Sequence, residues 1–180
     1  MSCDSIKIRL APTADQAALI EKAIDCCAML WNRMITDEAK LQKEFGRRYI
    51  PTPAKYKREF SELKEVDSMA LSGLHHKLLL QFRDHEYNPH DYQEPKPVER
   101  MDSYTTYSRL SKGGFVIRLE DGGIRLPKLG VIPLGEYTEL PDGGVIESAI
   151  VLREQGNYFC RVKIEIPDEQ PNREAVKQPA

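Results

Sequence analysis

The 180-residue sequence predicts an α+β protein: a small antiparallel β-barrel of the OB or roll type, with a three-helix bundle inserted after the first strand. Three observations carry this. Segments alternating apolar and polar residues stand at both ends of the chain, at 6–10, 145–152 and 158–166, with the period of two of half-buried strands. A helical period fills residues 14–86 between them. Residues 113–134, GGFVIRLEDGGIRLPKLGVIPL, crowd short strand-like runs between turn residues. Such strands do not hold alone and need a closed sheet around them.

Taken in order, Ile6, Ile8 and Leu10 alternate with Lys7 and Arg9, giving a strand with a basic outer face, and Pro12 ends it. Thr13 and Gln16 form a T-x-x-Q capping box. Ile20, Ile24, Cys27, Trp31, Met34, Leu41 and Phe45 follow at spacings of three and four, interrupted by Glu38, so one helix is expected over 14–45 with Gly46 as its cap. Thr52 and Pro53 open a second helix with Tyr56, Phe60 and Leu63 as its buried stripe. Asp67 or Ser68 caps a third, whose core face is Ala70, Leu71, Leu74, Leu78 and Phe82. Residues 88–100 have three prolines and no period, the mark of a linker.

Residues 103–107 suit the strand that re-enters the barrel. Phe115, Ile117 and Leu119 alternate with Val116, Arg118 and Glu120 as one strand, Asp121-Gly122-Gly123 turns the chain, and Ile124-Arg125-Leu126 returns. After Pro127-Lys128-Leu129-Gly130, Val131-Ile132-Pro133-Leu134 starts again. Ala149 and Val151 face away from Ile150 and Leu152, and Gln155-Gly156-Asn157 turns. In the last strand Tyr158, Cys160, Val162, Ile164 and Ile166 lie on one face, and Arg161, Lys163 and Glu165 on the other. The units expected are a first barrel strand (1–12), a helical insertion (13–88), a linker (89–102), the rest of the barrel (103–167) and a polar tail (168–180).

Net charge is −2, so bulk charge does not mark a nucleic-acid binder. Locally, Lys40, Lys43, Arg47, Arg48, Lys55, Lys57 and Arg58 stand against the single acid Glu44 between positions 40 and 58. Cys3, Cys26, Cys27 and Cys160 show no C-x-x-C spacing, and no run is long enough to span a bilayer. Reduced thiols, a cytoplasmic location and no membrane partner are expected.

No nucleophile elbow, H-E-x-x-H or P-loop is present, and the glycine pairs at 113–114, 122–123 and 143–144 are flanked by strand residues rather than a helix. His85, Glu86, His90 and Asp91 have metal-ligating side chains, but the neighbouring prolines offer no rigid frame, so neither metal nor cofactor is expected. His75 and His76 are adjacent on a helix and point to different faces.

Four segments in order resemble one family. Ile8-Arg9-Leu10-Ala11-Pro12-Thr13 with Gln16, Cys26-Cys27-Ala28-Met29-Leu30-Trp31-Asn32, Leu63-Lys64-Glu65-Val66-Asp67-Ser68-Met69-Ala70-Leu71 and Ile124-Arg125-Leu126-Pro127-Lys128-Leu129-Gly130 are similar to the amino-terminal half of TnpB (OrfB-type) proteins, transposon-encoded RNA-guided nucleases related to type V CRISPR effectors. The chain departs from the family at Ala28, where an arginine is usual, and at 94–100, where the stretch is less cationic. The resemblance implies a wedge (WED) β-barrel interrupted by a recognition (REC) helical lobe. It implies non-catalytic binding of guide RNA and of double-stranded DNA carrying a short adjacent motif.

By position, the resemblance puts base-facing candidates at Ser68, Met69 and Ser72 and at Tyr104, Thr105, Thr106 and Arg109. It puts DNA-phosphate candidates at Lys55, Lys57 and Arg58, and an RNA-facing barrel surface at Lys7, Arg9, Lys128, Arg161 and Lys163. These 180 residues contain no G-I-D-x-G strand and no zinc ribbon, so no cleavage is expected from them, and a RuvC-type nuclease half is an expected partner. Other roles compatible with the same sequence are a subunit that docks on a separately encoded nuclease, and a degenerate transposon remnant.

Overall fold

A computed structural model describes residues 3–111, 114–136, 139 and 144–166. The expected polar tail lies outside them. The order of elements is β1 (Cys3–Leu10), α1 (Ala14–Phe45), α2 (Pro53–Glu59), a 3-10 turn (Ser61–Lys64), α3 (Ser68–Tyr87), then β2 (Ser103–Tyr107), β3 (Leu110–Ser111), β4 (Gly114–Phe115), β5 (Arg118–Glu120), β6 (Gly123–Leu126), β7 (Gly130–Pro133), β8 (Val145–Glu154) and β9 (Asn157–Glu165). The helical block thus sits between the first strand and the others.

The capping box at the start of α1 is complete: Thr13 Oγ1 accepts from Gln16 N at 3.2 Å, and Gln16 Oε1 accepts from Thr13 N at 3.1 Å. Gln16 also donates through Nε2 to Leu129 O and Val131 O, which ties the helix start to the β6–β7 turn. Gly46, with φ 66, ends the helix in the left-handed region. Ile20, Ile24, Leu30 and Met34 are fully buried along it. Each such side chain contributes about 1.5–3 kcal/mol relative to exposure. The second helix is shorter than its stripe implies. It stops at Glu59, Phe60 turns extended (φ −122, ψ 101), and Leu63 reaches the core from the 3-10 turn. Asp67 caps α3 by accepting from Ala70 N.

The linker is held by α1. Trp31 Nε1 donates to Lys96 O at 2.9 Å; Asn32 Nδ2 donates to Val98 O and Asn32 Oδ1 accepts from Val98 N, both at 2.7 Å. Asn32 therefore pairs with one residue's backbone as a neighbouring strand would.

Among the described residues the strands do not close into one barrel. They form a four-stranded sheet ordered β1-β9-β8-β2, a two-stranded β3-β4 and a three-stranded β5-β6-β7, all antiparallel. The sheets touch through a bridge between Leu10 and Leu134, with Ala11 N to Pro133 O and Gly135 N to Arg9 O on either side. Across the other edge, Val116 N donates to Arg109 O. Strands of two to four residues make too few ladder bonds to carry the sheet around the corner. The single strand expected over 115–120 is likewise broken, by a bend at Val116 and Ile117. The hairpin turn is where the sequence puts it, with Asp121 at φ 51 and Gly122 at φ 70.

One core joins the layers: Ile8, Val151, Cys160 and Val162 from the four-stranded sheet meet Ile24 and Cys27 of α1, while Ile124 and Ile132 continue it under the three-stranded sheet. No helix among the described residues is long and apolar enough to cross a membrane.

Candidate nucleic-acid interface

Two acids on α1 decide which cations of the 40–58 segment are free. Asp37 and Glu38 are 7% and 4% exposed. Asp37 Oδ2 accepts from Lys55 Nζ at 3.0 Å and from the Tyr56 hydroxyl at 3.1 Å. Burial alone would raise the Asp37 carboxyl, but those two hydrogen bonds and the charges of Lys55 and Arg33 hold it below its ordinary value. Glu38 accepts from Arg48 Nη1 at 2.7 Å, yet burial outweighs Arg48 and leaves its carboxyl raised. Lys55, exposed and also paired with Glu59, ties α1 to α2 with its charge answered by two carboxylates. Arg48 is likewise engaged, with Glu38, Glu86 and the Phe82 ring.

The other DNA candidates gather where α2, α3 and β2 meet. Lys57 Nζ donates to Ser68 Oγ at 2.7 Å, joining α2 to the first turn of α3. Asp67 accepts from the Thr106 hydroxyl, fixing that turn against β2. Arg58, Ser68 and Ser72 are exposed and Met69 is half-buried. On β2 the alternation divides the candidates. Tyr104 and Thr106 are 6% and 1% exposed and turn toward the core. Thr105 faces outward instead. Tyr107 does too, its ring against Gly73 of α3, where a Cβ would collide with it. Thr105, Tyr107, Gly73 and Lys77 line a groove of about 210 Å³ between α3 and β2. Arg109 follows β2 with its side chain exposed.

Four of the five RNA candidates share the outer face of the four-stranded sheet. The register sets Lys7 opposite Arg161 and Arg9 opposite Phe159, with Lys163 one row along, opposite Ser5 and Ser148. Two cations directly across a strand pair repel each other unless counter-charge is supplied. Lys7 has Glu154 and lies 4.3 Å from the Phe159 ring centroid, and Lys163 has Glu147. The Arg9 guanidinium donates to the neutral Asn157 Oδ1, at 3.2 Å. Arg161 is exposed and has no ion pair among the described residues. Half-buried Ile150, Leu152 and Phe159 run between these cations. Lys128 belongs elsewhere, in the β6–β7 turn at φ 67, beside the carbonyl that Gln16 holds.

Phe159 and Tyr107 are not among the sequence candidates. The period of two that puts Arg161 and Lys163 on the outer face also puts Phe159 there, so alternation alone could have found it. No group of three or more His, Cys, Asp or Glu among the described residues is arranged to hold a metal ion. Of the 83–91 cluster, His85 meets Tyr92 O, Glu86 meets Arg48 and Asp91 meets Asn88. Cys26, Cys27 and Cys160 are buried and unpaired, and burial pushes the Cys27 and Cys160 thiols up to about 12.

These features define an α+β protein with two basic surfaces, one on a sheet face and one at a helix–strand junction. Residues 3–47 match the family model HTH_OrfB_IS605, described as a helix-turn-helix domain, which supports an OrfB/TnpB-type, transposon-associated amino-terminal region. No curated protein matches the chain. Helix-turn-helix domains are a DNA-binding class, and the match supports DNA binding in a transposon-associated protein. Within the matched residues, however, the chain forms β1 and one unbroken helix of 32 residues rather than two helices about a turn. No recognition helix can be assigned there.

Proposed function

We propose that these residues form the non-catalytic nucleic-acid-binding part of a TnpB-like, RNA-guided DNA-targeting protein of the cytoplasm. In this reading the strands are an open form of the wedge barrel and the helices are the recognition lobe. Guide RNA lies on the outer sheet face over Lys7, Arg9, Arg161 and Lys163, with Phe159 available to stack a base. Duplex DNA with its short motif lies at the α2–α3–β2 junction. There Arg58 and Lys57 meet phosphates, and Ser68, Met69, Ser72, Thr105 and Arg109 face the bases.

The observation that carries the reading is the cross-strand placement of Lys7 and Arg161, with Arg161 lacking a counter-charge among the described residues. A polyanion supplies the counter-charge that Arg161 lacks, and phosphate neutralisation dominates nucleic-acid affinity. A RuvC-type nuclease half is the proposed partner that cuts. The 180 residues with guide RNA, target DNA and Mg²⁺ leave the DNA whole on this reading, and cleavage abolished by a single substitution here contradicts it.

Lysine footprinting with an amine-reactive reagent tests the two-surface assignment. Structured RNA should protect Lys7 and Lys163 from modification, whereas duplex DNA should protect Lys57. Equal labelling of all three with and without nucleic acid contradicts the proposal.

A further inference from the structure

The helical bundle ends in a surface that neither proposed site uses. α1 starts at the β6–β7 turn through Gln16 and runs outward from the sheets, so Phe45 and the connector after it form the far tip. Arg48 in that connector bonds Glu86 at 2.7 Å, which brings the end of α3 to the same tip. Three rings stand in solvent there: Phe45 60% exposed, Tyr49 55% and Tyr87 90%. Lys40, Lys43 and Arg47 are exposed at the same end and have no ion pair among the described residues. Lys43, Phe45, Arg47 and Tyr49 alternate cation and ring along the chain. Glu44 is the one acid of the segment, while Glu86 is already paired with Arg48.

Single exposed aromatic residues need no explanation, but three brought to one end of a helical bundle are unusual on a polar surface. Exposed rings interleaved with free cations make up a surface that takes unpaired nucleic acid strands. Bases stack on the rings whatever their sequence, and the cations follow the backbone. We infer that this tip binds single-stranded nucleic acid, with Phe45, Tyr49 and Tyr87 stacking bases and Lys40, Lys43 and Arg47 meeting phosphates. The inference is independent of the two surfaces proposed above. It predicts that the chain holds an unpaired strand as well as duplex.

The test compares a short oligothymidylate with a blunt duplex as salt is varied. Phe45→Ala, Tyr49→Ala and Tyr87→Ala should each weaken oligothymidylate binding about fivefold or more. The salt slope should stay put, because stacking releases no counterions, and duplex affinity should not move. Tyr49→Phe and Tyr87→Phe should bind as the wild type does, since the ring and not the hydroxyl stacks. Replacing Lys40, Lys43 and Arg47 by Ser should shallow the oligothymidylate slope by roughly 0.7 for each phosphate left without its cation. All three rings lie more than half in solvent, so their truncation leaves the core packed. Failure of wild type to bind oligothymidylate overturns the inference. So does unchanged binding by every ring variant, or equal weakening of duplex and single strand. None of these outcomes touches duplex binding at the α2–α3–β2 junction, which stands or falls on its own variants.

Discussion

Asp37 and Glu38 are neighbours on α1, both buried, and their carboxyls are shifted in opposite directions. Asp37 has a depressed carboxyl because Lys55 and Tyr56 bond it against the cost of burial. In the folded chain it therefore binds a proton less readily than when unfolded. Its contribution to stability is full above the unfolded value and is lost as pH falls through the folded one. Asp37→Asn should cost roughly 1–3 kcal/mol in denaturant unfolding near neutral pH. That difference should shrink once acid neutralises the wild-type carboxyl; a difference constant down to acid pH contradicts the ion-pair account. Glu38 runs the other way. Its raised carboxyl favours folding at low pH and loses that advantage as pH rises through the folded value, so the wild type should gain on Glu38→Gln as pH falls. The sequence holds a trace of this pair. Glu38 breaks the apolar stripe of α1, and a charge in a buried stripe calls for a partner. Which cation answers is not legible there, because Arg48 and Lys55 are brought back by a connector of no period.

The two long helices follow local rules and are legible to within a residue or two: α1 from its capping box and Gly46, α3 from Asp67. The strands between 110 and 134 are harder. Alternation over 115–120 is real, yet the chain bends at Val116 and Ile117 because nothing in so short a run fixes its partner. β2 shows the same limit at single-residue scale. Its existence is readable but its facing is not: burial turns Tyr104 and Thr106 inward and leaves Thr105 and Tyr107 on the other face. Where two β elements meet closely the demand is strict. A Cβ at Gly123 would lie 2.6 Å from Ile132 O, a backbone atom that cannot swing aside. Gly123→Ala should therefore cost on the order of 1–3 kcal/mol by forcing β6 from β7, read as a lowered thermal midpoint. Unchanged stability would mean that the two strands part more freely than their ladder implies.

At the scale of the whole molecule, net charge of −2 conceals how the cations are distributed. Some are used internally, as Lys55 and Arg48 are, and others face outward on the sheet, at the α2–α3–β2 junction and at the helical tip. The order of strand, helices and strands is legible from periodicity alone. Closure of the strands is not, since it depends on ladder bonds at their ends. The separation of RNA and DNA surfaces is the central claim, and the salt dependence of binding measures it most directly. Binding of structured RNA and of duplex DNA should be followed over a range of salt for three proteins: wild type, Lys57→Ser with Arg58→Ser, and Arg9→Ser with Arg161→Ser. Lys55 stays unchanged, because removing it would loosen α2 as well. The Lys57/Arg58 pair should shallow the DNA slope by roughly 0.9 for each phosphate left without its cation, and leave the RNA slope in place. The Arg9/Arg161 pair should do the reverse. Slopes that respond to neither pair, or equally to both, contradict a protein with separate RNA and DNA surfaces.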